Sequence, residues 1–333
     1  MFEPRVGEYG YMTSKEKYLR FCDEVYIPIY SKSWWMDAVC EPDNWDVWLY
    51  ESGGSISAVM PYYMKTKGMY RYITKAPLTQ NNGIIFKMDE GIKLETKAKF
   101  QEHVIDAAND FIESLEIDVY EQQFHYSFDN WLPFFWNRYT ALTRYTYVID
   151  ETSDTDEIWK NISSSYRNLI RKGYKTARVC DGDDADEFWH LHKKIFEKQG
   201  FECPFSYDLW IRLYNSCIQH NCGRILYAKD RDKNILSILF LVWDEQSVYH
   251  LLGGSIPEYQ YLQTYNMLTW EAIKIASQMG LKYDFEGSVI KRISKSMRQF
   301  GGKPMPYFRI RKVFNPNIVR LEAEQQIALM DAK

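Results

Sequence analysis

Hydrophobic and polar positions between Asp183 and Val313 follow two periods in turn along the chain. Stretches with the 3.6-residue period of helices alternate with stretches that have the two-residue period of strands. Their order is helix, helix, three strands, helix, strand, helix, strand, at 183–199, 206–220, 224–229, 236–243, 247–252, 262–279, 283–286 and 289–299, with a final strand ending at Val313. This order predicts a sheet with helices on its faces, in the α/β class.

The first half of the chain has the same kind of pattern. Strand periods at 44–50, 54–65 and 70–74 predict an antiparallel meander, with a tight turn at Ser52-Gly53-Gly54. A helix, a strand, a short helix and a strand are predicted to follow at 93–115, 117–124, 129–136 and 143–149. The acidic stretch 151–157 is the natural junction, so the sequence predicts two domains, 1–152 and 153–333.

Composition agrees with two folded halves. With 333 residues, 46% of them hydrophobic, the chain is longer than a single hydrophobic core usually supports. Its longest apolar run, 235–243, is far shorter than the roughly 20 residues that span a bilayer, and segment 1–20 lacks the apolar part of a secretory signal. We therefore expect a cytoplasmic protein. Six cysteines without a CxxC pair predict reduced thiols and no metal site.

The charge distribution indicates an anionic partner. The net charge of −4 comes from 41 basic and 45 acidic residues, yet two stretches, 160–178 and 291–312, are basic without any acidic residue. Segment 160–178 is predicted as one cationic helix, and its basic residues include Arg167, Arg171 and Lys172. An anionic small molecule, a nucleotide-linked substrate or a tRNA would suit such a surface, and an ordinary solvated face is the alternative.

Several stretches, taken in order, resemble one known family. They are Ile-Tyr-Ser-Lys-Ser-Trp-Trp at 29–35, Pro-Leu-Thr-Gln-Asn-Asn-Gly at 77–83, Arg-Asn-Leu-Ile-Arg-Lys at 167–172, Trp-Glu-Ala-Ile at 270–273, Asp-Phe-Glu-Gly-Ser at 284–288 and Phe-Gly-Gly at 300–302. With the order of elements they look like the GNAT acyltransferase fold, and within it like the FemAB/FemX group and the BioF2-like acetyltransferases. The resemblance spans nearly the whole chain. It implies two tandem GNAT-like domains built on a mixed α+β sheet, with the probable active site in the second.

The resemblance also implies an activity. Members of this group transfer an acyl or aminoacyl group to an amine, and the donor is acyl-CoA or aminoacyl-tRNA. The best-known branch acts on a peptide of a cell-wall precursor, which implies a bacterial cytoplasmic enzyme and allows peripheral contact with a membrane-linked precursor. No metal is implied.

Candidate catalytic residues lie in the last third of the chain. Asp284 and Glu286 are predicted on one strand face, where two carboxylates could hold or deprotonate an amine; the alternative for Glu286 is a structural pair with an arginine. Tyr265 is a candidate acid. In the FemX pattern a lysine three residues before Phe-Gly-Gly serves the oxyanion, but this chain has Met297 there, so Arg298 or Lys295 would have to substitute.

Donor and substrate residues follow from the same comparison. Tyr249, Leu251, Gly253 and Gly254 lie on the strand where GNAT enzymes bind the acyl donor, and Gln263 begins the next helix. The stretch 258–264 contains no Gly, unlike the usual CoA phosphate loop, which leaves the donor open. Substrate binding is assigned to four basic residues, Arg167, Arg171, Lys172 and Lys295. His250, beside Tyr249, is expected in the core.

Three hypotheses result. The first is an active acyl- or aminoacyltransferase acting on an amine of an envelope or polysaccharide precursor. The second is a conventional acyl-CoA N-acetyltransferase with a modified phosphate loop. The third is a non-catalytic binding module that keeps the fold and a basic groove.

Overall fold

A computed structural model of the chain describes residues 12–89, 91–198 and 200–331. The prediction for segment 1–20 therefore falls, for residues 1–11, outside the described residues. No helix in the described part of the chain is long and apolar enough to cross a bilayer.

The described residues form twelve strands and eleven α-helices. The strands are β1 (Trp45–Ser52), β2 (Ser55–Lys67), β3 (Tyr70–Thr74), β4 (Ile85–Phe86), β5 (Val119–Gln123), β6 (Thr140–Ile149), β7 (Arg178–Gly182), β8 (Gly223–Lys229), β9 (Ile235–Trp243), β10 (Ser247–Ser255), β11 (Lys282–Asp284) and β12 (Lys303–Val313). The helices are α1 (Ser14–Glu24), α2 (Ser33–Cys40), α3 (Leu94–Ser114), α4 (Leu132–Trp136), α5 (Thr155–Asn161), α6 (Ser164–Thr176), α7 (Ala185–Glu197), α8 (Tyr207–Gln219), α9 (Thr264–Met279), α10 (Lys291–Gln299) and α11 (Pro316–Asp331).

The strands form one continuous sheet. Its order is β1-β2-β3-β5-β12-β6-β11-β10-β9-β8-β7, with β4 added to β2. Among the named strands of the described residues, only β3–β5 and β10–β11 pair in parallel, one such pair in each half. The last strand of each half lies beside the other half: β12 pairs with β5 and β6, and β6 also pairs with β11. The sheet thus crosses the predicted boundary after residue 152, and the division into two domains stays a prediction.

The nine elements predicted between 183 and 313 occur in the predicted order, with bounds shifted by a few residues. The expectation of one cationic helix over 160–178 is wrong. Helix α5 ends at Asn161 and α6 begins at Ser164, because Ile162 is extended and buried while the Ser163 hydroxyl accepts the amide N–H of Tyr166. Helices α1, α2 and α11 were not predicted from the sequence.

Buried side chains cover both faces of the sheet. One cluster joins α1 and α2 of the first half to α7 and α8 of the second, and in it the rings of Tyr30 and Tyr249 lie 5.2 Å apart. A second cluster packs α6 and α9 on the opposite face, and a third lies under α3. Because the first cluster contains residues of both halves, the halves share a core.

The pairing of β10 with β11 ends early. It runs only from Ser247 opposite Lys282 to Tyr249 opposite Asp284, whereas β10 continues to Ser255. A bulge in the pairing of β10 with β9 lies between His250 and Leu252, just where β11 departs. The edge of β10 beyond Tyr249 therefore faces open space in the described structure.

Candidate active site

A cavity of about 870 Å³ opens where β10 and β11 diverge. The second half supplies its walls from β10, the start of α9 and helix α10, and the first half supplies residues that lie just beyond β3, at the end of β5 and in β6. The size and mixed polar and apolar lining suit a small-molecule site. A smaller cavity of about 530 Å³ lies beside β12, but its charges pair with one another, Arg309 with Glu121 and Arg311 with Glu322.

The β10 wall contains three of the four predicted donor residues of that strand. Leu251, Gly253 and Gly254 line the cavity, whereas Tyr249 is 1% exposed and its hydroxyl donates to Asp244 Oδ2 at 2.9 Å. Tyr249 is thus a core residue. A Cβ at Gly253 would stand 2.6 Å from the backbone oxygen of Ile238, which explains why glycine is needed there.

Tyr265 belongs to a chain of three hydrogen-bonded side chains. His250 Nε2 lies 2.5 Å from the Tyr265 hydroxyl, and His250 Nδ1 lies 2.6 Å from the Tyr283 hydroxyl. Burial lowers the pKa of His250 to about 4, so the imidazole is neutral and has one N–H. The hydroxyl of Tyr283 is buried and has no other partner among the described residues, so we assign it as donor to Nδ1.

That tautomer determines what Tyr265 can do. With Nδ1 as acceptor, the Nε2–H of His250 donates to the Tyr265 oxygen and leaves the Tyr265 O–H free to donate into the cavity. Burial raises the pKa of Tyr265, so the hydroxyl keeps its proton at neutral pH. His250 lines the cavity too and was expected in the core, so the sequence analysis missed its part in the site.

Glu286 reaches the cavity from a strained turn. Its φ of 67° is left-handed although it is not glycine, and Gly287 follows with φ 70°. The turn is held by two hydrogen bonds, from the Glu286 N–H to Asp284 Oδ1 at 2.7 Å and from the Gln80 side chain to the Glu286 carbonyl. Glu286 Oε1 is buried without a partner among the described residues, and desolvation raises the pKa of this carboxyl well above its usual value.

Asp284 does not join Glu286 in the cavity. Its side chain is fully buried, and Oδ1 accepts from the Thr146 hydroxyl and the Glu286 N–H. Desolvation is the main cause that raises the pKa of Asp284 to about 6. The two carboxylates were predicted on one strand face, but β11 ends at Asp284 and the left-handed turn redirects Glu286. Asp284 positions the backbone of Glu286 instead of lining the cavity.

Comparison with known proteins identifies this half of the molecule. Residues 159–290 match the family described as acetyltransferase (GNAT) domain. Residues 159–290 thus carry the sequence pattern of a GNAT domain. No curated protein matches the sequence. The prediction of a GNAT fold is confirmed, and the match covers β10, β11, His250, Tyr265 and Glu286.

Solved structures extend the comparison to the whole chain. The crystal structure of FemX is similar with a TM-score of 0.65 at 14% identity, over 94% of this chain and 98% of that one. The C-terminal domain of a putative lysylphosphatidylglycerol synthetase from Agrobacterium fabrum gives 0.57 at 12% identity, over 96% of both chains. A Bacteroides thetaiotaomicron protein of unknown function gives 0.57 at 8%, over 91% and 98%. At such low identities the likeness shows a common fold.

The start of α9 in the GNAT domain also faces the cavity. Gln263 precedes it with φ 62°, no side chain caps the helix, and Gln263, Tyr265 and Asn266 line the cavity. The segment 257–262, without glycine, forms a 3₁₀ helix in place of a Gly-containing loop, and Glu258 in it pairs with Lys194 at 2.9 Å. The Asn266 N–H donates to the Gln263 carbonyl at 3.2 Å, and no side chain caps the other N–H groups of the first turn, which suits this helix start to an anion even without that loop.

The basic residues predicted to bind substrate lie outside the cavity. Arg171 and Lys172 are exposed on α6, where Arg171 stacks over Trp159 and Lys172 donates to the Tyr261 carbonyl at 3.0 Å. Lys295 is exposed on α10 and does not line the cavity, and neither does Arg298, which was predicted as a catalytic residue that serves the oxyanion. The roles predicted for these four residues stay predictions, and they concern a surface beside the cavity.

The Arg167 side chain forms hydrogen bonds to the backbone instead of facing the cavity. Its Nη1 donates to the carbonyls of Trp159, Lys160 and Ile162 at 3.2, 2.8 and 2.5 Å. These carbonyls belong to the last turn of α5 and the residue after it, where a helix leaves acceptors unsatisfied and its dipole favours a cation. The guanidinium thus fixes the connection between α5 and α6 of the GNAT domain.

Replacing Arg167 with Ala is expected to lower the free energy of unfolding by about 2 kcal/mol, because charge-assisted hydrogen bonds to three carbonyls are lost. Lys175→Ala removes the same charge from an exposed position of α6 and should change stability by less than about 0.5 kcal/mol. Chemical denaturation of both variants measures the difference. Equal stability of the two would show that the Arg167 contacts contribute nothing.

Among the polar residues of the cavity wall that were not found from the sequence, four come from the first half of the chain. They are Lys75, Gln80, Gln123 and Arg144. A signal existed for Gln80, since it lies within the family-like stretch 77–83. Lys75 and Arg144 stand in ordinary strand-like segments and become neighbours only through the sheet. Among the described residues, no group of three or more His, Cys, Asp or Glu side chains is arranged to hold a metal.

Proposed function

We propose that this protein is an N-acyltransferase that moves an acyl or aminoacyl group from an activated donor to an amine. The observation that carries the proposal is Glu286, a carboxyl with a raised pKa that faces the cavity opened by the divergence of β10 and β11. A carboxylate whose pKa is raised by desolvation is a stronger base than an ordinary carboxylate, which suits it to accept a proton from an ammonium group.

In the proposed reaction, ionised Glu286 removes a proton from the acceptor ammonium. The neutral amine then attacks the carbonyl carbon of the donor, and the carbonyl electron pair moves to oxygen in a tetrahedral intermediate. When that pair returns, the bond to the leaving sulfur or oxygen breaks. The Tyr265 O–H, free to point into the cavity, donates a proton to the leaving atom, while His250 Nε2–H stabilises the phenolate that forms. The nitrogen of the new amide then loses its extra proton, which restores the Tyr265 phenol, and Glu286 releases its proton to solvent.

The shape of the donor site favours a donor with a peptide-like arm. Beyond Tyr249 the β10 edge has lost β11 as its partner, so its backbone groups are available to an extended chain that carries amides. The pantetheine arm of acyl-CoA is such a chain, and the uncapped start of α9 would lie near its phosphates. This observation supports acyl-CoA as the donor.

Aminoacyl-tRNA is the second candidate donor, and a different observation favours it. Helices α6 and α10 touch, since the Ser163 N–H donates to the Gln299 carbonyl at 2.9 Å and the ring of Tyr166 packs on that of Phe300. Their exposed residues Arg171 and Lys295 thus belong to adjacent basic helices beside the cavity, a surface suited to a polyanion. The resemblance to the FemAB/FemX group motivates an amine of an envelope precursor as acceptor, in a bacterial cytoplasm.

Parallel thermal unfolding with acetyl-CoA and bulk aminoacyl-tRNA tests the proposal, together with acyl transfer to a panel of amines. A donor at a hundred times its Kd should stabilise the fold by about 2.7 kcal/mol. Tyr265→Phe should keep that stabilisation and lose turnover, whereas Tyr261→Phe, at an exposed residue outside the cavity, should keep both. Silence from both donors and no transfer would leave a non-catalytic binding module.

A further inference from the structure

The wall that the first half contributes to the cavity carries two cations. We infer that Lys75 and Arg144 bind an anionic oxygen group, a carboxylate or a phosphate, that belongs to the amine acceptor. This inference rests on the proposed function, because it assigns the anion to the molecule that receives the acyl group.

Both side chains reach the cavity, although β5 and β12 lie between their strands in the sheet. Lys75 directly follows β3, Arg144 lies in β6 opposite Tyr307 of β12, and both line the cavity. Both residues line the same cavity; desolvation lowers the pKa of Lys75 and the positive charge of Arg144 lowers it further, which agrees with that placement. The Lys75 side chain is nevertheless exposed.

No anion of the described residues neutralises this pair. Lys75 and Arg144 take part in none of the ion pairs or side-chain hydrogen bonds of the described chain, and Arg144 Nε is buried without a partner. Glu286 shares the cavity but forms none of those ion pairs either, and its Oε1 is buried without a partner among the described residues. Two like charges held together at a concave wall raise the free energy of the empty site, and an anionic ligand removes that cost.

The position of the pair assigns it to the acceptor. The turn that carries Glu286 lies against β6 beside Arg144, since a Cβ on Gly287 would stand 2.2 Å from the backbone oxygen of Tyr145. The pair is thus next to the proposed base. The donor edge of β10 and the start of α9 belong to the other half and form a different wall. An acceptor with its amine at Glu286 would place an anionic group at Lys75 and Arg144, where Arg offers a fork that matches carboxylate or phosphate.

Titration calorimetry without any donor tests the site. The probes are inorganic phosphate, glucosamine 6-phosphate and alanine. Glucosamine, which lacks the phosphate, and alaninamide, which lacks the carboxylate, are their counterparts without an anionic group. Wild-type protein should bind at least one anionic amine about tenfold more tightly than its counterpart. Arg144→Gln and Lys75→Gln should each weaken that binding about tenfold, as expected for the loss of one charge-assisted hydrogen bond. Lys99→Gln, an exposed cation on α3, should leave it unchanged.

The outcomes separate this inference from the proposed function. Equal binding of charged and uncharged amines, or binding unaffected by both cavity substitutions, overturns the anion site even if acyl transfer occurs. Displacement of phosphate by desulfo-CoA overturns the assignment to the acceptor. Loss of anion binding in both variants supports the site even if no transfer is found, because the titration requires no turnover. Unfolding curves of each variant, compared with Lys99→Gln, show whether the fold is retained.

Discussion

Glu286→Gln is expected to lower kcat/KM for acyl transfer by at least a hundredfold without unfolding the protein. A positioned general base contributes roughly 10²–10⁴ to the rate, and Gln keeps the shape of Glu while it cannot accept the proton. Steady-state kinetics across pH 6–9 measures the effect. In the wild type, kcat/KM should rise with pH as Glu286 ionises, and this limb should be missing in the variant.

The same substitution should stabilise the fold at alkaline pH. The pKa of Glu286 is raised in the folded protein, so folding favours the protonated carboxyl. The stability associated with that proton is present below the pKa of the unfolded chain and is lost as the pH rises through the folded pKa. Gln cannot ionise, so the Tm of the variant relative to the wild type should increase from pH 5 to pH 9.

The control for both effects is Glu324→Gln, an exposed carboxylate on α11 outside the cavity. It should leave the kinetics and the pH dependence of Tm unchanged. An active Glu286→Gln enzyme with the wild-type pH profile would exclude Glu286 as the base and return it to a structural role.

Gly287→Ala is expected to produce the largest loss of stability, about 3 kcal/mol. Gly287 has φ 70°, which costs a residue with a side chain about 1 kcal/mol or more. A Cβ would also stand 2.2 Å from the backbone oxygen of Tyr145, and backbone atoms of β6 can yield only by distorting the sheet. The turn that orients Glu286 would shift, so activity should fall as well.

Gly280→Ala separates the backbone strain at positive φ from the steric overlap with β6. Gly280 ends α9 with φ 68°, and a Cβ there would meet nothing within 4 Å. It should therefore lose about 1 kcal/mol from backbone strain alone. Denaturant unfolding of both variants gives the steric contribution as the difference. Similar losses in the two variants would show that β6 yields easily beside Gly287.

The sequence predicted the order of elements in the second half because each is a local property. Leu236 to Val242 are all buried in β9, and α9 packs eight buried residues, so apolar runs of the right length identify both. The break at Ile162 was missed for a local reason too: the charges on its two sides continue the helical stripe although the backbone does not.

The site itself depends on tertiary contacts, which the hydrophobic periodicity of the sequence cannot show. Asp284 and Glu286 alternate correctly for one strand face, but the left-handed turn appears only through hydrogen bonds to Gln80 and Asp284. Arg167 belongs to a cationic stripe in sequence, yet its guanidinium satisfies backbone carbonyls. Lys75 and Arg144 are far apart along the chain, and only the sheet brings them to one wall.

The place of β12 between β5 and β6 has a consequence for biosynthesis. As the ribosome emits the chain, β5 and β6 are complete long before residues 303–313 leave the exit tunnel. Until then, both present hydrogen-bonding edges that attract other strands, and the loop to be closed is most of the second half. The first half therefore reaches its final sheet only after translation of the second, and this interval is when a nascent chain depends on chaperones to cover those edges.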